Sequence, residues 1–367
     1  MTVRDWLRGA RPWTLVMGAS PVVVGAAASW PRVMRGVWGG DMVHVPCPVV
    51  GGRPVPRASA GEGVCVTSTG WFLAVALLCL VVSVALQISA NFLNDYADGV
   101  RGVDRDRGVP DASSAGAPVR LVASGTSPRF VLHAALSAVA VAALAGITVV
   151  VLTGHMLLLA VGALCAIMAW AYSGGRRPGA YRGWGEAMAF LFFGPVACVG
   201  TQWALMGGLG SVGGLDHSSV MLSIVPGCCS ACLMMVNNLR DRESDGAMGK
   251  RTLMVRMGED QGAVLFALSM AVATVVPVLL FALTRPWSPL GLTSCGVTSS
   301  GDRACSGPSP AVTVGFWLMS VLLVALLSQA IAGVVAVRRR LWRRAFLLCV
   351  GVSASSALVL SLCVLIA

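Results

Sequence analysis

Long apolar runs without charged residues recur along this chain, and they constrain its fold more than any other feature. A helix needs about 20 such residues to cross the hydrocarbon core of a bilayer. The runs lie at 12–30, 71–92, 130–153, 155–173, 186–206, 218–237, 261–283, 312–336 and 345–366. Because a lipid-exposed segment must satisfy its own backbone hydrogen bonds, each run is predicted to be a helix. The sequence therefore predicts an all-α, multi-pass membrane bundle of about nine transmembrane helices.

The composition excludes an ordinary soluble protein, since 56% of the residues are hydrophobic, 12% are charged and the mean hydropathy is +0.78. A net charge of +11 is also found in nucleic-acid-binding proteins. Most of the 27 Lys and Arg residues, however, fall in alternate connecting segments. Cytoplasmic segments of membrane proteins are enriched in these residues. The pattern predicts a cell-membrane protein with a cytoplasmic N-terminus, an extracytoplasmic C-terminus and no nucleic-acid partner.

Two long segments, 31–70 and 284–311, are predicted to be extracytoplasmic insertions in a single domain that spans residues 1–367. They contain four cysteines, Cys47, Cys65, Cys295 and Cys305. Extracytoplasmic cysteines lie in an oxidising environment. Pairing of nearest neighbours suggests Cys47 with Cys65 and Cys295 with Cys305, although four cysteines allow three connectivities.

The acidic residues are concentrated after two of the apolar runs. Asn91 and Asp95 are four residues apart near the end of the second run, and Asn237 and Asp241 have the same spacing at the end of the sixth. Residues four apart share one face of a helix. Four spans separate the two clusters, and an even number returns the chain to the same side of the membrane. Both clusters are therefore predicted to face one central cavity that opens to the cytoplasm.

Carboxylate and amide oxygens are ligands that suit Mg²⁺. A single Asp here is equally compatible with a solvated loop charge, but two facing clusters at a membrane boundary are costly unless they are paired or functional. The predicted metal ligands are Asn91, Asp95, Asp98, Asp241 and Asp245. Interleaved basic residues can bind a diphosphate. These are Arg101, Arg240, Lys250 and Arg251.

The sequence resembles the UbiA-type superfamily of intramembrane prenyltransferases in several segments. The N-terminal Arg11-Pro12-Trp13-Thr14-Leu15 is similar to the family's opening motif, and the residues from Asn91 to Asp98 read NFLNDYAD. The stretch from Asn237 to Asp245 reads NNLRDRESD and resembles the second acidic motif. Asp98 follows Asp95 by three residues, which fits the 1,4-dihydroxy-2-naphthoate branch of the family.

The resemblance implies Mg²⁺-dependent transfer of a polyprenyl group from a polyprenyl diphosphate to 1,4-dihydroxy-2-naphthoate, with decarboxylation, in menaquinone biosynthesis. Asp98, Asp241 and Asp245 would then be catalytic. The expected aromatic-substrate residues are Arg11, Tyr96, Tyr172 and Tyr181. The tyrosines are equally compatible with an interfacial aromatic belt, and Arg11 with a positive-inside anchor. Glu186 could orient a loop residue or act as a base, and the sequence does not decide between these roles.

Two alternatives remain at this point. A transporter could use boundary carboxylates for protons or cations, although such sites usually lie near the membrane midplane. A sister prenyltransferase could use 4-hydroxybenzoate, haem or a sugar phosphate as acceptor. The prenyl chain length, the oligomeric state and the identity of a catalytic base are not fixed by the sequence.

The charge pattern predicts the side on which two points of the chain lie. A reporter fused after Ala367 should be extracytoplasmic, whereas one inserted between residues 106 and 117 should be cytoplasmic, because Arg-rich segments stay inside. Paired phosphatase and fluorescent-protein fusions measure both positions. Finding the two reporters on the same side would contradict this topology.

Overall fold

The part of the protein that the structure describes is almost entirely helical, which confirms the all-α prediction. The computed structural model describes residues 2–38, 69–102, 120–173, 178–206, 217–283, 294–297, 303–306 and 310–366. The helices are α1 (Val3–Gly9), α2 (Leu15–Trp38), α3 (Thr69–Val100), α4 (Pro128–Thr153), α5 (Leu157–Ser173), α6 (Gly185–Leu191), α7 (Ala197–Met206), α8 (His217–Arg240), α9 (Arg242–Ala247), α10 (Leu253–Leu283), α11 (Pro310–Arg338) and α12 (Trp342–Ile366). A short antiparallel hairpin joins β1 (Ser294–Val297) to β2 (Arg303–Ser306).

Among the described residues, eight helical stretches are long and apolar enough to cross a membrane. The predicted span at 155–173 is α5, whose 17 residues correspond to about 25 Å. Near its start, Leu158 packs against the apolar cluster of Phe72 and Val149. Shortly after its end, the Tyr181 hydroxyl donates a hydrogen bond to Asp98, at the opposite end of α3. These contacts show that α5 extends from one end of α3 to the other. The total of nine transmembrane helices remains a prediction.

Several helices extend beyond the predicted apolar runs. Because α3 continues to Val100, Asp95 and Asp98 lie beyond the run at 71–92 but within the same helix. Residues 31–38, assigned from sequence to an outside insertion, belong to α2. An apolar run marks only the part of a helix in hydrocarbon, and the helix can continue through the headgroup region.

Small residues allow the helices of the bundle to pack closely. α2 contacts α3, α7, α8 and α12. At Gly25, an added Cβ would lie 2.5 Å from the backbone oxygen of Cys198. A π-helical segment (Phe192–Val196) joins α6 to α7 and contains Pro195, which lacks a backbone N–H. There Gly194 faces α8, since its Cβ would lie 2.7 Å from Gly227 Cα. Close backbone approach at glycine is typical of membrane helices.

The β1–β2 hairpin contains both cysteines of one predicted disulfide, Cys295 and Cys305. Its register places Cys295 opposite Cys305. Opposed residues of an antiparallel pair have Cα atoms about 4.5–5.5 Å apart, a separation that a disulfide can span. The register supports this pairing, which remains a prediction. Cys47 and Cys65 lie outside the described residues.

The crossing at Gly194 predicts a stability difference between two Gly→Ala substitutions. Gly194→Ala should lower the free energy of unfolding by about 1–3 kcal/mol, because its methyl group would meet the α8 backbone. Gly200→Ala is the matched control, since nothing lies within 4 Å of a Cβ built there. Thermal unfolding in detergent measures both variants. Equal stability of the two variants would contradict this packing.

Candidate active site

The site is built at the end of α3, where the N-terminal segment packs across it. Trp6 of α1 meets Phe92 of α3 edge-to-face, with ring centroids 5.8 Å apart. At Gly9, an added Cβ would lie 2.6 Å from Leu121 Cδ1, so α1 also packs closely on the segment that follows α3. These contacts fix the start of the chain next to the first acidic motif.

Arg11 is held in an unusual backbone conformation beside this motif. Its φ of 53° lies in the left-handed region, which a non-glycine residue adopts only when neighbouring contacts hold it there. The Asn91 amide supplies such contacts, because its Nδ2 donates to the Ala10 carbonyl and to Thr14 Oγ1, both at 2.9 Å. The Arg11 Nε and Nη2 atoms are buried and have no hydrogen-bond partner within the described parts of the chain.

Asp95 connects α3 to the segment that returns toward α4. Its Oδ2 accepts a hydrogen bond from the Leu121 backbone N–H at 2.7 Å. Its Oδ1 is buried and has no hydrogen-bond partner among the residues that the structure describes. One oxygen therefore has a structural partner, and the other is buried without one in the described ranges.

Lys250 joins the two acidic motifs. Its Nζ lies 3.0 Å from Asp98 Oδ2 and 3.3 Å from Oδ1, and 3.8 Å from Asp245 Oδ2. The turn after α9 positions this lysine, since Gly249 has a φ of 73° and the Lys250 N–H donates to the Asp245 carbonyl at 2.8 Å. The predicted convergence of the two clusters is thus observed, with a cation between them.

Arg120 is a second bridge, and the sequence analysis assigned it no role. Its side chain is 9% exposed and lies 4.0 Å from Asp98 and 3.9 Å from Asp241. Asp241 is also bound by the Arg240 Nε and Nη2 atoms, at 2.8 and 2.9 Å. The available signal is its place in Pro118-Val119-Arg120, which resembles a short PxR element of the same family.

Tyr181 holds the Asp98 carboxylate from a third direction. Its hydroxyl donates to Asp98 Oδ1 at 2.8 Å. Its ring lies near two cations, with Arg101 Cζ at 5.1 Å and Lys250 Nζ at 5.4 Å from the ring centroid. Burial, followed by the neighbouring Asp98 charge, raises the pKa of the Tyr181 hydroxyl well above its usual value. The hydroxyl therefore stays protonated and remains a donor.

The other predicted site residues lie at the edges of this group. Tyr96 packs against the apolar cluster of Phe92 and Leu121. The Arg251 side chain is exposed, while its backbone N–H donates to the Tyr181 carbonyl. Tyr172 lies beside Gly185, at the start of α6. The roles predicted for these residues in substrate binding remain predictions.

The carboxylates are paired with basic side chains in this structure. Within the described part of the chain, no three His, Cys, Asp or Glu side chains form a ready metal-binding group. The oxygen donors of Asp98, Asp241 and Asp245 nevertheless converge around Lys250 and Arg120. Such donors fit Mg²⁺ when substrate phosphate oxygens complete its coordination.

Comparisons with known proteins identify the family of the chain. Residues 56–301 match the UbiA prenyltransferase family. The chain is 37% identical over 308 residues to a 1,4-dihydroxy-2-naphthoate octaprenyltransferase of Mycobacterium tuberculosis, covering 81% of this chain and 87% of that protein. The Escherichia coli protein of the same name is 29% identical over 264 residues, covering 69% and 68% of the two chains.

A solved structure has the same fold. The apo structure of a UbiA homolog from Aeropyrum pernix K1 superposes with a TM-score of 0.52 at 16% sequence identity, covering 94% of this chain and 96% of that one. The family match and the similarity to the mycobacterial protein extend over most of the chain. The protein belongs to the UbiA prenyltransferase family.

Proposed function

We propose that this prenyltransferase transfers a polyprenyl group from a polyprenyl diphosphate to 1,4-dihydroxy-2-naphthoate, with loss of the acceptor's carboxylate. The observation that carries the proposal is the joining of two acidic motifs by Lys250 and Arg120. The name of the mycobacterial and E. coli relatives supports the naphthoate as acceptor. The product would be demethylmenaquinone, as in the naphthoate branch that the motifs resemble.

Lys250 and Arg120 would bind the diphosphate. Each lies between two carboxylates, so each can exchange a carboxylate partner for a phosphate oxygen without leaving the site. Arg101 and Arg240 lie next to these groups and add positive charge. Tyr181 would keep Asp98 oriented during the exchange, because its hydroxyl remains a donor.

Asp98, Asp241 and Asp245 would hold Mg²⁺, with Asn91 and the unpaired oxygen of Asp95 at the edge of the set. Bound Mg²⁺ would neutralise charge that develops on the departing diphosphate. The positive charges of the basic residues in the site nearly balance the negative charges of its carboxylates. They therefore leave too little positive charge for a diphosphate, which favours the recruitment of a divalent cation.

The surrounding helices would protect the allylic cation from water. The site lies at the ends of α3 and α8, which continue into the apolar bundle. Exclusion of water prevents hydrolysis of a reactive intermediate. The Arg-rich segments support a site that opens to the cytoplasm, with the C-terminus outside the cell. Arg11, whose Nε and Nη2 have no hydrogen-bond partner in the described ranges, would bind an anionic group of either substrate.

The choice of acceptor is tested by direct assay. Purified protein with Mg²⁺ and a polyprenyl diphosphate should prenylate 1,4-dihydroxy-2-naphthoate in preference to 4-hydroxybenzoate. Chromatography of the lipid products measures the preference. Turnover of 4-hydroxybenzoate alone would contradict the proposed acceptor, and absence of diphosphate release with every acceptor would favour the transporter alternative.

The proposed roles of the carboxylates predict the effect of two isosteric substitutions. Asp98→Asn and Asp245→Asn should fold normally but lower kcat at least about 100-fold, because charge on the departing diphosphate is no longer neutralised. Arg338→Gln is the control, since Arg338 is 49% exposed and forms an ion pair with the exposed Asp260. Initial rates over a Mg²⁺ titration measure the effect.

Two outcomes would contradict this assignment. If both Asn variants keep normal rates while chelation with EDTA abolishes activity, the metal is held by other residues. If EDTA has no effect on the wild-type protein, the reaction does not depend on a divalent cation.

A further inference from the structure

Glu186 is a buried carboxylate that the proposed mechanism has not used. It lies in the first turn of α6 and is 3% exposed. Its Oε1 accepts a hydrogen bond from Asn238 Nδ2 at 2.8 Å. Its Oε2 is buried and has no hydrogen-bond partner within the described ranges. A buried polar atom without a partner costs roughly 1–3 kcal/mol, so this oxygen is expected to receive a donor from outside the chain.

The surroundings of Glu186 include Asn238, which lies in the second acidic motif. A Cβ built on the adjacent Gly185 would lie 3.7 Å from the Tyr172 hydroxyl, from Asn238 Nδ2 and from Met234 Cγ. The Tyr172 hydroxyl is within electrostatic range of both Glu186 and Asp98. Glu186 thus lies in a region bordered by polar and apolar side chains, in which Tyr172 is coupled electrostatically to Asp98.

We propose that Glu186 Oε2 accepts a hydrogen bond from a phenolic hydroxyl of the aromatic acceptor. The inference rests on the proposed function and assigns one residue to acceptor recognition. A carboxylate repels the diphosphate and the acceptor's own carboxylate, so its partner must be a hydrogen-bond donor. In 1,4-dihydroxy-2-naphthoate the 1-hydroxyl bonds internally to the neighbouring carboxylate, which leaves the 4-hydroxyl as the free donor.

This hydrogen bond would also assist the reaction. A phenolic oxygen that donates to a carboxylate releases more electron density into its ring. An electron-rich ring attacks an allylic cation more readily, and a fixed hydroxyl orients the attacking carbon. Glu186 would therefore act on both the affinity for the acceptor and the rate of its attack.

The test compares Glu186→Gln with wild type. Gln retains the size of the side chain but places an amide NH₂ group where the carboxylate oxygen accepts a hydrogen bond. KM and Kd for the naphthoate should therefore rise about 10- to 100-fold. KM for the polyprenyl diphosphate should change less than about twofold. Glu243→Gln is the matched control, because Glu243 is 81% exposed. Acceptor binding is measured by quenching of tryptophan fluorescence, independently of turnover.

A substrate analogue provides a second measurement. Wild-type protein should bind 4-methoxy-1-hydroxy-2-naphthoate about 10-fold or more weakly than the parent compound, because the methoxy group cannot donate. The Glu186→Gln variant should bind the two compounds with similar affinity. This comparison in the wild-type protein remains decisive even if the variant does not fold.

Two results would overturn the inference. One is unchanged acceptor constants in Glu186→Gln, with or without a loss of thermal stability, and the other is equal wild-type affinity for the two naphthoates. If the wild-type protein instead prenylates another phenol and not the naphthoate, the proposed function fails. The same comparison made with that phenol and its methyl ether then decides the role of Glu186.

Discussion

The ion pairs that Lys250 makes with Asp98 and Asp245 are the interaction on which the rest of the site depends. Carboxylates at the edge of the hydrocarbon are costly unless a cation accompanies them. One lysine forms ion pairs with carboxylates of two helices that are distant in sequence. These ion pairs reduce the repulsion between the carboxylates and set the distance between the two motifs. Arg120 repeats this arrangement with Asp98 and Asp241.

Most of the fold could be predicted from the sequence because the bilayer imposes it. A run of apolar residues in lipid must be helical, so hydropathy alone located the spans. The ends of the helices were less predictable, since charged residues such as Asp95 and Asp98 continue α3 beyond the hydrocarbon. Hydropathy also underestimated how far α2 extends, to Trp38.

The acidic half of the site was also predictable, because residues spaced by four share a helix face. Its other parts depend on tertiary contacts that spacing does not encode. Asn91 is predicted as a ligand through its amide oxygen, and its amide nitrogen in addition holds the left-handed turn at Arg11. Arg120 resembles a topology determinant, yet it lies between two aspartates. These contacts are tertiary, and the spacing of residues along the chain does not reveal them.

The position of Lys250 also has a consequence for how the protein is made. Lys250 is the sole lysine of the sequence, and 152 residues separate it from Asp98. During synthesis, α3 enters the membrane long before Lys250 has left the ribosome, since elongation adds roughly 5–20 residues per second. The first acidic motif therefore spends several seconds without its lysine. The carboxylates of the first acidic motif therefore gain the positive charge of Lys250 only when the second half of the bundle assembles.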